Sequence, residues 1–197
     1  MNRLDFFPSS IYVKQLPNLL PNIIKRTDLV IQDLKDNYVG DNHGHVYHSN
    51  SISHFEEILP LCSIVTSEAI NILDQQGYDL EKHNLYITEM WVQEFAKGGY
   101  HDSHVHSGNH ISGFYFISCS ENTSFPVFYD PRPGKVMTQL PFKDENVVTL
   151  ASEKVNFKPS PGTLVLFNSY FPHHFTGQNS TDSFRFIHFN IKAQKNH

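Results

Sequence analysis

Cysteine, tryptophan and long apolar runs are scarce in this sequence. Of the 197 residues, two are cysteine and one is tryptophan, and the thiols Cys62 and Cys119 are far apart and form no CxxC pair. We therefore expect two buried free thiols rather than a disulfide framework or a redox pair. No apolar run approaches the roughly 20 residues of a membrane-spanning helix, and the first residues lack the apolar core of a signal peptide. These absences predict a soluble cytoplasmic protein with no membrane partner.

Positive charge is also limited, whereas histidine is plentiful. Lysine and arginine number 15 against 20 aspartate and glutamate residues, which gives a formal net charge of -5. Nucleic-acid binding usually depends on a basic surface that neutralises phosphates, so this balance argues against a nucleic-acid partner. The chain has 13 histidines, most of which must be ordinary surface or packing residues. Their positions in the chain therefore decide which of them matter.

The first part of the chain, about 1–80, reads as a short strand followed by two helices. Residues 11–16 have strand character, and apolar spacing predicts a helix over 21–35. A polar segment over 36–50 predicts a loop. The S-x-x-E pattern that begins at Ser53 fits a capping box, which predicts that a second helix follows it.

From residue 84 onward the sequence predicts strands separated by turns rich in glycine and proline. The predicted strands cover residues 85–95, 111–118, 125–129, 147–150, 163–167, 173–176 and 184–191. Many short strands of this kind imply an antiparallel sandwich or barrel, with the two helices packed on its outside. We expect one domain over residues 1–197, mainly β with flanking helices (α+β), with a β core over about 84–192.

Two histidines, His104 and His106, precede the apolar segment 111–118. Residues two apart in a strand point to the same face, so both imidazoles can reach one cavity. Neutral imidazole is the commonest metal ligand among side chains and suits zinc, copper, iron and nickel. Asp102 alternates with both histidines, but residues 102 and 106 would lie about 13 Å apart in an ideal strand. Either neighbouring pair can therefore bind a metal, and the pattern leaves the choice between His106 and Asp102 open.

A distal histidine, His173, and an arginine on the next predicted strand, Arg185, extend this pattern. A histidine pair, a distal histidine and a following arginine occur in this order in the double-stranded β-helix oxygenases. The segments 99–106, 128–132 and 161–169 add to the match. Together these blocks make the chain similar to the iron(II)/2-oxoglutarate-dependent oxygenase superfamily. Within it, the chain most resembles the small oxygenases of marine bacteria and their phages, and a phage-encoded member would act in the host cytoplasm.

The resemblance implies a double-stranded β-helix core of the jelly-roll or cupin-like kind, with Fe(II) and 2-oxoglutarate as cofactors. Such an enzyme uses 2-oxoglutarate and O2 to hydroxylate a substrate, which for this chain could be a protein side chain such as proline or a small molecule. His104, His106 and His173 match the metal ligands. Arg185 matches the arginine that grips the distal carboxylate of 2-oxoglutarate, a task suited to its planar fork. The further candidates for cosubstrate binding are Tyr100, Tyr115 and Arg132, for which core packing or a local turn is the alternative.

The chain departs from the superfamily pattern at two positions. His106 stands where most members carry aspartate or glutamate, so a three-histidine site would carry one more positive charge than the usual centre. Ile187 stands where many relatives have a serine or threonine two residues after the arginine. The histidines expected to be bystanders, in polar or packing roles, are His101, His110, His174 and His188.

Two other classes of protein stay open at this point. One is a three-histidine, cupin-like metal dioxygenase that does not use 2-oxoglutarate. The other is a non-enzymatic β-sandwich binding module in which the histidines only pack. Turnover that depends on 2-oxoglutarate distinguishes the oxygenase from the cupin-like dioxygenase. Metal uptake distinguishes both enzymes from the binding module, which would take up none.

Overall fold

The computed structural model describes residue 2, residues 7–132 and residues 140–196. The helices are a short 3-10 helix (Pro17–Leu19), α1 (Leu20–Asp36) and α2 (Leu59–Gln75). The strands are β1 (Ile11–Gln15), β2 (Val46–His48), β3 (His83–Phe95), β4 (His101–His104), β5 (Ile111–Ser118), β6 (Pro126–Tyr129), β7 (Lys154–Asn156), β8 (Thr163–Asn168), β9 (His173–Phe175) and β10 (Phe184–Lys195). The described chain is thus mainly β with two long helices, as the sequence predicts.

The strands form two antiparallel sheets. The main sheet has the order β1-β8-β5-β10-β3-β2, and the minor sheet has the order β4-β9-β6-β7. Strands distant in sequence are neighbours in both sheets, so β1 pairs with β8 and β10 lies between β3 and β5. This interleaving brings residues from both ends of the chain to the same interface between the sheets.

The main sheet is buried on both of its faces. One face packs against α1 and α2 through residues such as Ile187 and Ile191, and forms the helix-side core. The other face meets the minor sheet through an inter-sheet core that includes Phe184, Phe186 and Phe175. Successive side chains of a strand point to opposite faces. Along β10, even-numbered residues therefore face the minor sheet and odd-numbered residues face the helices.

Both long helices begin where a proline can lie in the first turn. Proline is tolerated there because the N–H that it lacks would have no partner within the helix. Pro21 takes this place in α1 and Pro60 in α2, and α2 has no side-chain capping bond at its start. The capping box predicted at Ser53 is therefore not formed. A helix that began there would place Pro60 in its interior, where the ring clashes with the carbonyl four residues back.

Three local differences from the sequence-based prediction concern strands. Residues 147–150 form no strand, and the strand of this region is β7, at Lys154–Asn156. The predicted loop over 36–50 contains β2. The short strand β4 ends at His104, so His106 lies in the loop that follows it. No helix among the described residues is long and apolar enough to cross a membrane.

Candidate metal centre

Three imidazoles meet where the minor sheet faces the main sheet. His104 ends β4, His106 follows in the next loop and His173 begins β9, where it is the register partner of His104. Each ring offers a nitrogen, and the three nitrogens all lie within 4.8 Å of one another. The Nε2 atoms of His106 and His173 are 3.3 Å apart. Two nitrogens that bind one metal at about 2.0–2.1 Å are separated by roughly 3 Å, so this distance fits a shared ion.

Backbone carbonyls orient two of the three rings. Nδ1 of His104 lies 2.7 Å from the carbonyl oxygen of Asp102, and Nδ1 of His173 lies 2.9 Å from that of Phe171. A carbonyl oxygen only accepts hydrogen bonds, so each Nδ1 carries the hydrogen and each Nε2 keeps a free lone pair. Metal-ligating histidines are typically held in this way by a partner on the other ring nitrogen.

Burial keeps the rings of His106 and His173 in the neutral form that binds metals. His173 is fully buried, and its ring lies 4.9 Å from that of Phe167 and 5.5 Å from that of Phe114. Loss of hydration, together with the neighbouring imidazoles, lowers the pKa of His173 to about 3 and that of His106 to about 4. Both rings are therefore neutral at physiological pH.

A polar network that is buried from Ser169 to Asn190 holds the loop that carries His106. The His106 backbone N–H donates to the Ser169 carbonyl at 2.9 Å, and the Ser169 hydroxyl lies 2.8 Å from that of Ser112. Ser112 donates to Asn190 Oδ1 at 2.6 Å, and Asn190 Nδ2 donates to Glu89 at 2.8 Å. The position of this ligand thus depends on the main sheet, although the residue itself lies outside regular structure.

Asp102 does not belong to the cluster. Its side chain is exposed, and its backbone carbonyl is the group that orients His104. Among the described residues, the set of mutually close ligand atoms contains His106 and not Asp102. Of the two arrangements left open by the sequence, the geometry favours the three-histidine site.

Arg185 does not join the three histidines, and this corrects the expectation drawn from its place in the sequence. Its Nε donates to Glu94 Oε2 at 2.7 Å, and its Nη1 pairs with Asp28 of α1. Arg185 occupies an odd position of β10, and such positions face the helices rather than the minor sheet. The guanidinium therefore ties helix α1 to the sheet, and the role of anchor for 2-oxoglutarate does not fit this placement.

The carboxylate that pairs with Arg185 is itself buried. Burial raises the pKa of Glu94, but the hydrogen bond from Lys35 and the charge of Arg185 outweigh it and hold the pKa below its ordinary value. Glu94 is therefore ionised at neutral pH, and it lies between two cations. This network accounts for the burial of Arg185 without any ligand.

Two of the other three predicted cosubstrate residues, Tyr115 and Arg132, have contacts that lead away from the histidines. Tyr115 is fully buried in the helix-side core, where its hydroxyl donates to the Leu16 carbonyl at 2.9 Å and burial raises its pKa to about 12. Tyr100 is 55% exposed. Arg132 is exposed and pairs with Asp130 at 2.6 Å. Core packing describes Tyr115 and a local turn describes Arg132, whereas Tyr100 is too exposed for core packing.

One residue at this centre was not predicted by the sequence reasoning. His188, at an even position of β10, is 3% exposed, and its Nε2 lies 3.2 Å from Nε2 of His106. Its ring also packs on Trp91 of β3 at 4.5 Å. Strand alternation was the available signal, since it places His188 and Arg185 on opposite faces. Alternation alone does not indicate which of the two faces of β10 meets the minor sheet and the histidines.

The donor set fits a ferrous ion, because imidazole is a suitable ligand for iron and three ligands leave positions open. The fit to 2-oxoglutarate is incomplete. Among the described residues, the groups whose charge acts on the pKa of His106, His173 and His188 are other imidazoles. Arg185, which was expected beside the distal carboxylate, pairs instead with Glu94 and Asp28.

Solved structures share this fold at low sequence identity. AviO1 from Streptomyces viridochromogenes is 11% identical, with a TM-score of 0.65, over 93% of this chain and 90% of that one. A Pseudomonas putida prolyl-4-hydroxylase is 11% identical, with a TM-score of 0.60, over 93% and 92%. HygX from Streptomyces hygroscopicus, solved with nickel and 2-oxoglutarate bound, is 8% identical, with a TM-score of 0.58, over 93% and 83%. At these identities the likeness shows the fold, which is a double-stranded β-helix.

Comparison at the level of sequence families is more specific. No curated protein matches the chain in sequence. A family model described as "Putative 2OG-Fe(II) oxygenase" matches residues 89–190, which are more than half of the chain and include His104, His106 and His173. The chain therefore belongs to this 2OG-Fe(II) oxygenase family, whose cofactors are iron(II) and 2-oxoglutarate.

Proposed function

We propose that the chain is an Fe(II)- and 2-oxoglutarate-dependent oxygenase that hydroxylates its substrate. The observation that carries this proposal is the meeting of His104, His106 and His173, with ligand nitrogens within 4.8 Å, inside a segment that the family model matches. Bound iron, with 2-oxoglutarate and O2, supplies the oxidising power for attack on a C–H bond. The protein supplies the geometry and the shielding of that centre.

The burial of the three ligands indicates from which side a substrate arrives. His173 is fully buried under aromatic rings of the inter-sheet core, whereas His104 and His106 are half-buried. The accessible side of the centre is therefore the one formed by the end of β4 and the loop after it. A substrate group that approaches there meets the half-buried rings of His104 and His106.

The substrate that we propose is a protein side chain such as proline, or a small molecule. The first choice is supported by the Pseudomonas putida prolyl-4-hydroxylase, which has the same fold. Because one fold serves many substrates, this support is by analogy. The proposal for the reaction does not depend on the choice between the two.

The test is succinate formation from 2-oxoglutarate by the full chain loaded with Fe(II). Slow turnover without substrate is enough for the readout, so the substrate need not be known. We expect succinate and O2 consumption in the wild type and in His174→Ala, whose ring lies beside the centre and faces away from it. We expect neither in His106→Ala. A loaded wild-type protein that neither binds nor consumes 2-oxoglutarate would contradict the proposal.

A second candidate function is a three-histidine metal dioxygenase that needs no 2-oxoglutarate. One observation favours it: Arg185, the predicted anchor for 2-oxoglutarate, is already paired with Glu94 and Asp28. Calorimetric titration of 2-oxoglutarate into the Fe(II)-loaded protein under anaerobic conditions separates the two. Binding of one equivalent supports the first function. Absence of binding, together with O2 uptake that does not respond to 2-oxoglutarate, supports the second.

A further inference from the structure

A fourth imidazole, that of His188, lies against the three ligands. We propose that His188 belongs to the metal centre and forms a hydrogen bond with a small anion that binds the metal beside His106. This inference rests on the metal site of the proposed function and not on its use of 2-oxoglutarate.

The surroundings of His188 fix its ring in place. The residue lies in the middle of β10, where its register partners are Trp91 on β3 and Phe114 on β5. Its ring centroid is 4.5 Å from both the Trp91 ring and the His106 ring, and 5.4 Å from that of Phe114. With 3% of its surface exposed, the side chain has no route to solvent. A hydrogen-bond partner for its Nε2, which points at His106, therefore has to lie inside the centre.

The hydrogen bonds available to His188 change when a metal binds. Nε2 of His106 lies 3.3 Å from Nε2 of His173 and 3.2 Å from Nε2 of His188. Because Nδ1 of His173 already donates to a carbonyl, its Nε2 is the metal-binding atom, and the close His106 Nε2 is the second. A ring nitrogen has one lone pair or one hydrogen, so a His106 Nε2 that binds a metal has nothing left for His188.

The other nitrogen of His188 offers no alternative. Its Nδ1 is buried and has no hydrogen-bond partner among the described residues. With a metal bound, both nitrogens of an almost fully buried ring would then lack a protein partner. Buried polar groups rarely stay unsatisfied, so a partner has to come from what the metal holds.

The distance identifies which group is within reach. Nε2 of His106 is almost equally far from Nε2 of His188, at 3.2 Å, and from Nε2 of His173, at 3.3 Å. Atoms that bind one ion are separated by about this distance, so Nε2 of His188 lies within reach of an atom bound to the metal. His188 is nevertheless outside the set of three whose nitrogens are all mutually close. It therefore faces a ligand bound beside His106 and does not act as a fourth ligand. Toward an anion, which only accepts, Nε2 carries the hydrogen.

The test uses Co(II)-loaded full-length protein and azide as the probe. Visible absorption of cobalt reports both the ligand field and azide binding, with no need for turnover. In His188→Phe, which keeps an aromatic ring against Trp91, we expect one equivalent of cobalt, an unchanged spectrum without azide, and azide binding about tenfold weaker or more, since a hydrogen bond to a charged group is lost. His188→Gln, which restores an N–H donor, should recover part of this affinity. His174→Phe is the matched control and should bind azide like the wild type.

Two results would overturn the inference. Azide affinity that is unchanged in a cobalt-loaded His188→Phe would show that the ring only packs. A changed cobalt spectrum without azide, or loss of cobalt in both His188 variants, would make His188 a ligand or a structural residue instead. If His188→Phe does not fold, the same comparison is made between His188→Gln and His188→Ala. Failure of 2-oxoglutarate turnover leaves the azide result intact, so the two proposals fail separately.

Discussion

His173 and His174 are neighbours in sequence, but they have opposite environments. The ring of His173 is fully buried in the inter-sheet core, and that of His174 lies on the outer face of the minor sheet, 5.4 Å from the Tyr129 ring. The difference follows from the period of a strand, which turns successive side chains to opposite faces. This pair therefore provides a ligand and a control that share the same strand.

We predict that His173→Ala loses metal binding and that His174→Ala does not. Loss of even a ligand's hydrogen-bond partner commonly costs 10- to 100-fold in metal affinity, so loss of the ligand itself should cost about 100-fold or more. Competitive titration of Co(II) against a chelator measures both variants under the same conditions. Equal affinities in the two variants would remove His173 from the site.

For Arg185 we predict a structural effect in place of a catalytic one. Arg185→Ala leaves the buried Glu94 with Lys35 as its one remaining ionic partner among the described residues, so we expect a loss of about 3 kcal/mol in the free energy of unfolding, in line with the removal of one partner from a buried ion pair. Arg132→Ala, at an exposed pair that solvent screens, should leave the free energy of unfolding close to that of the wild type. Urea unfolding measures both. A stable Arg185→Ala that has lost affinity for 2-oxoglutarate would restore the anchor role.

At the scale of elements, the packing of β5 between β8 and β10 depends on a residue without a side chain. A Cβ added at Gly113 would lie 2.4 Å from the Val165 carbonyl oxygen and 2.4 Å from a ring carbon of Phe189. The first of these contacts is with the backbone of β8, so a rotamer change cannot relieve it. The close approach of these strands thus requires glycine.

We predict that Gly113→Ala destabilises the protein by about 3 kcal/mol or more, because an overpacked core forces its neighbours to move. Gly177→Ala is the matched control, because its added Cβ would have no atom nearer than 3.9 Å. Thermal unfolding followed by circular dichroism compares the two. A Gly113→Ala variant as stable as Gly177→Ala would mean that β5 and β8 separate more easily than their packing indicates.

At the scale of the whole molecule, the cluster of buried imidazoles makes the metal-free protein sensitive to acid. Burial lowers the pKa of His101 and His106 to about 4 and that of His173 to about 3, whereas an unfolded chain titrates near 6.5. Between about pH 6.5 and 4 the unfolded chain therefore binds more protons than the folded one. Over that range stability falls as the pH falls.

We predict that the free energy of unfolding of the metal-free protein decreases from pH 7 to pH 5, and less steeply in His106→Ala than in the wild type. Glu94 stabilises the folded protein throughout this range and adds to the pH dependence only at lower pH. Its pKa lies below the ordinary value of about 4.3, so its stabilising effect is lost only as the pH falls below that value. Urea unfolding at pH 7, 6 and 5 tests this. A flat profile over these values would mean that the imidazoles are solvated in the folded state.

Much of the site could be predicted from local pattern. The spacing of His104 and His106 indicates a metal site, and the family resemblance adds His173; the structure brings the three nitrogens within 4.8 Å of one another. His104 and His106 do not share one strand face as predicted, because β4 ends at His104 and the loop positions His106. That loop is held through the side chain of Asn190, which is distant in sequence. No local pattern carries this information.

The sequence by itself determined the two helices, most of the strands and the ligand types, because these depend on periodicity and on the chemistry of single residues. Only the tertiary structure decided that Arg185 faces the helices and His188 faces the metal centre. The physical reason is that β10 is apolar and buried on both sides, by helices on one and by the minor sheet on the other. Alternation separates the residues of such a strand into two sets, and only the packing of the other elements decides which set faces the site.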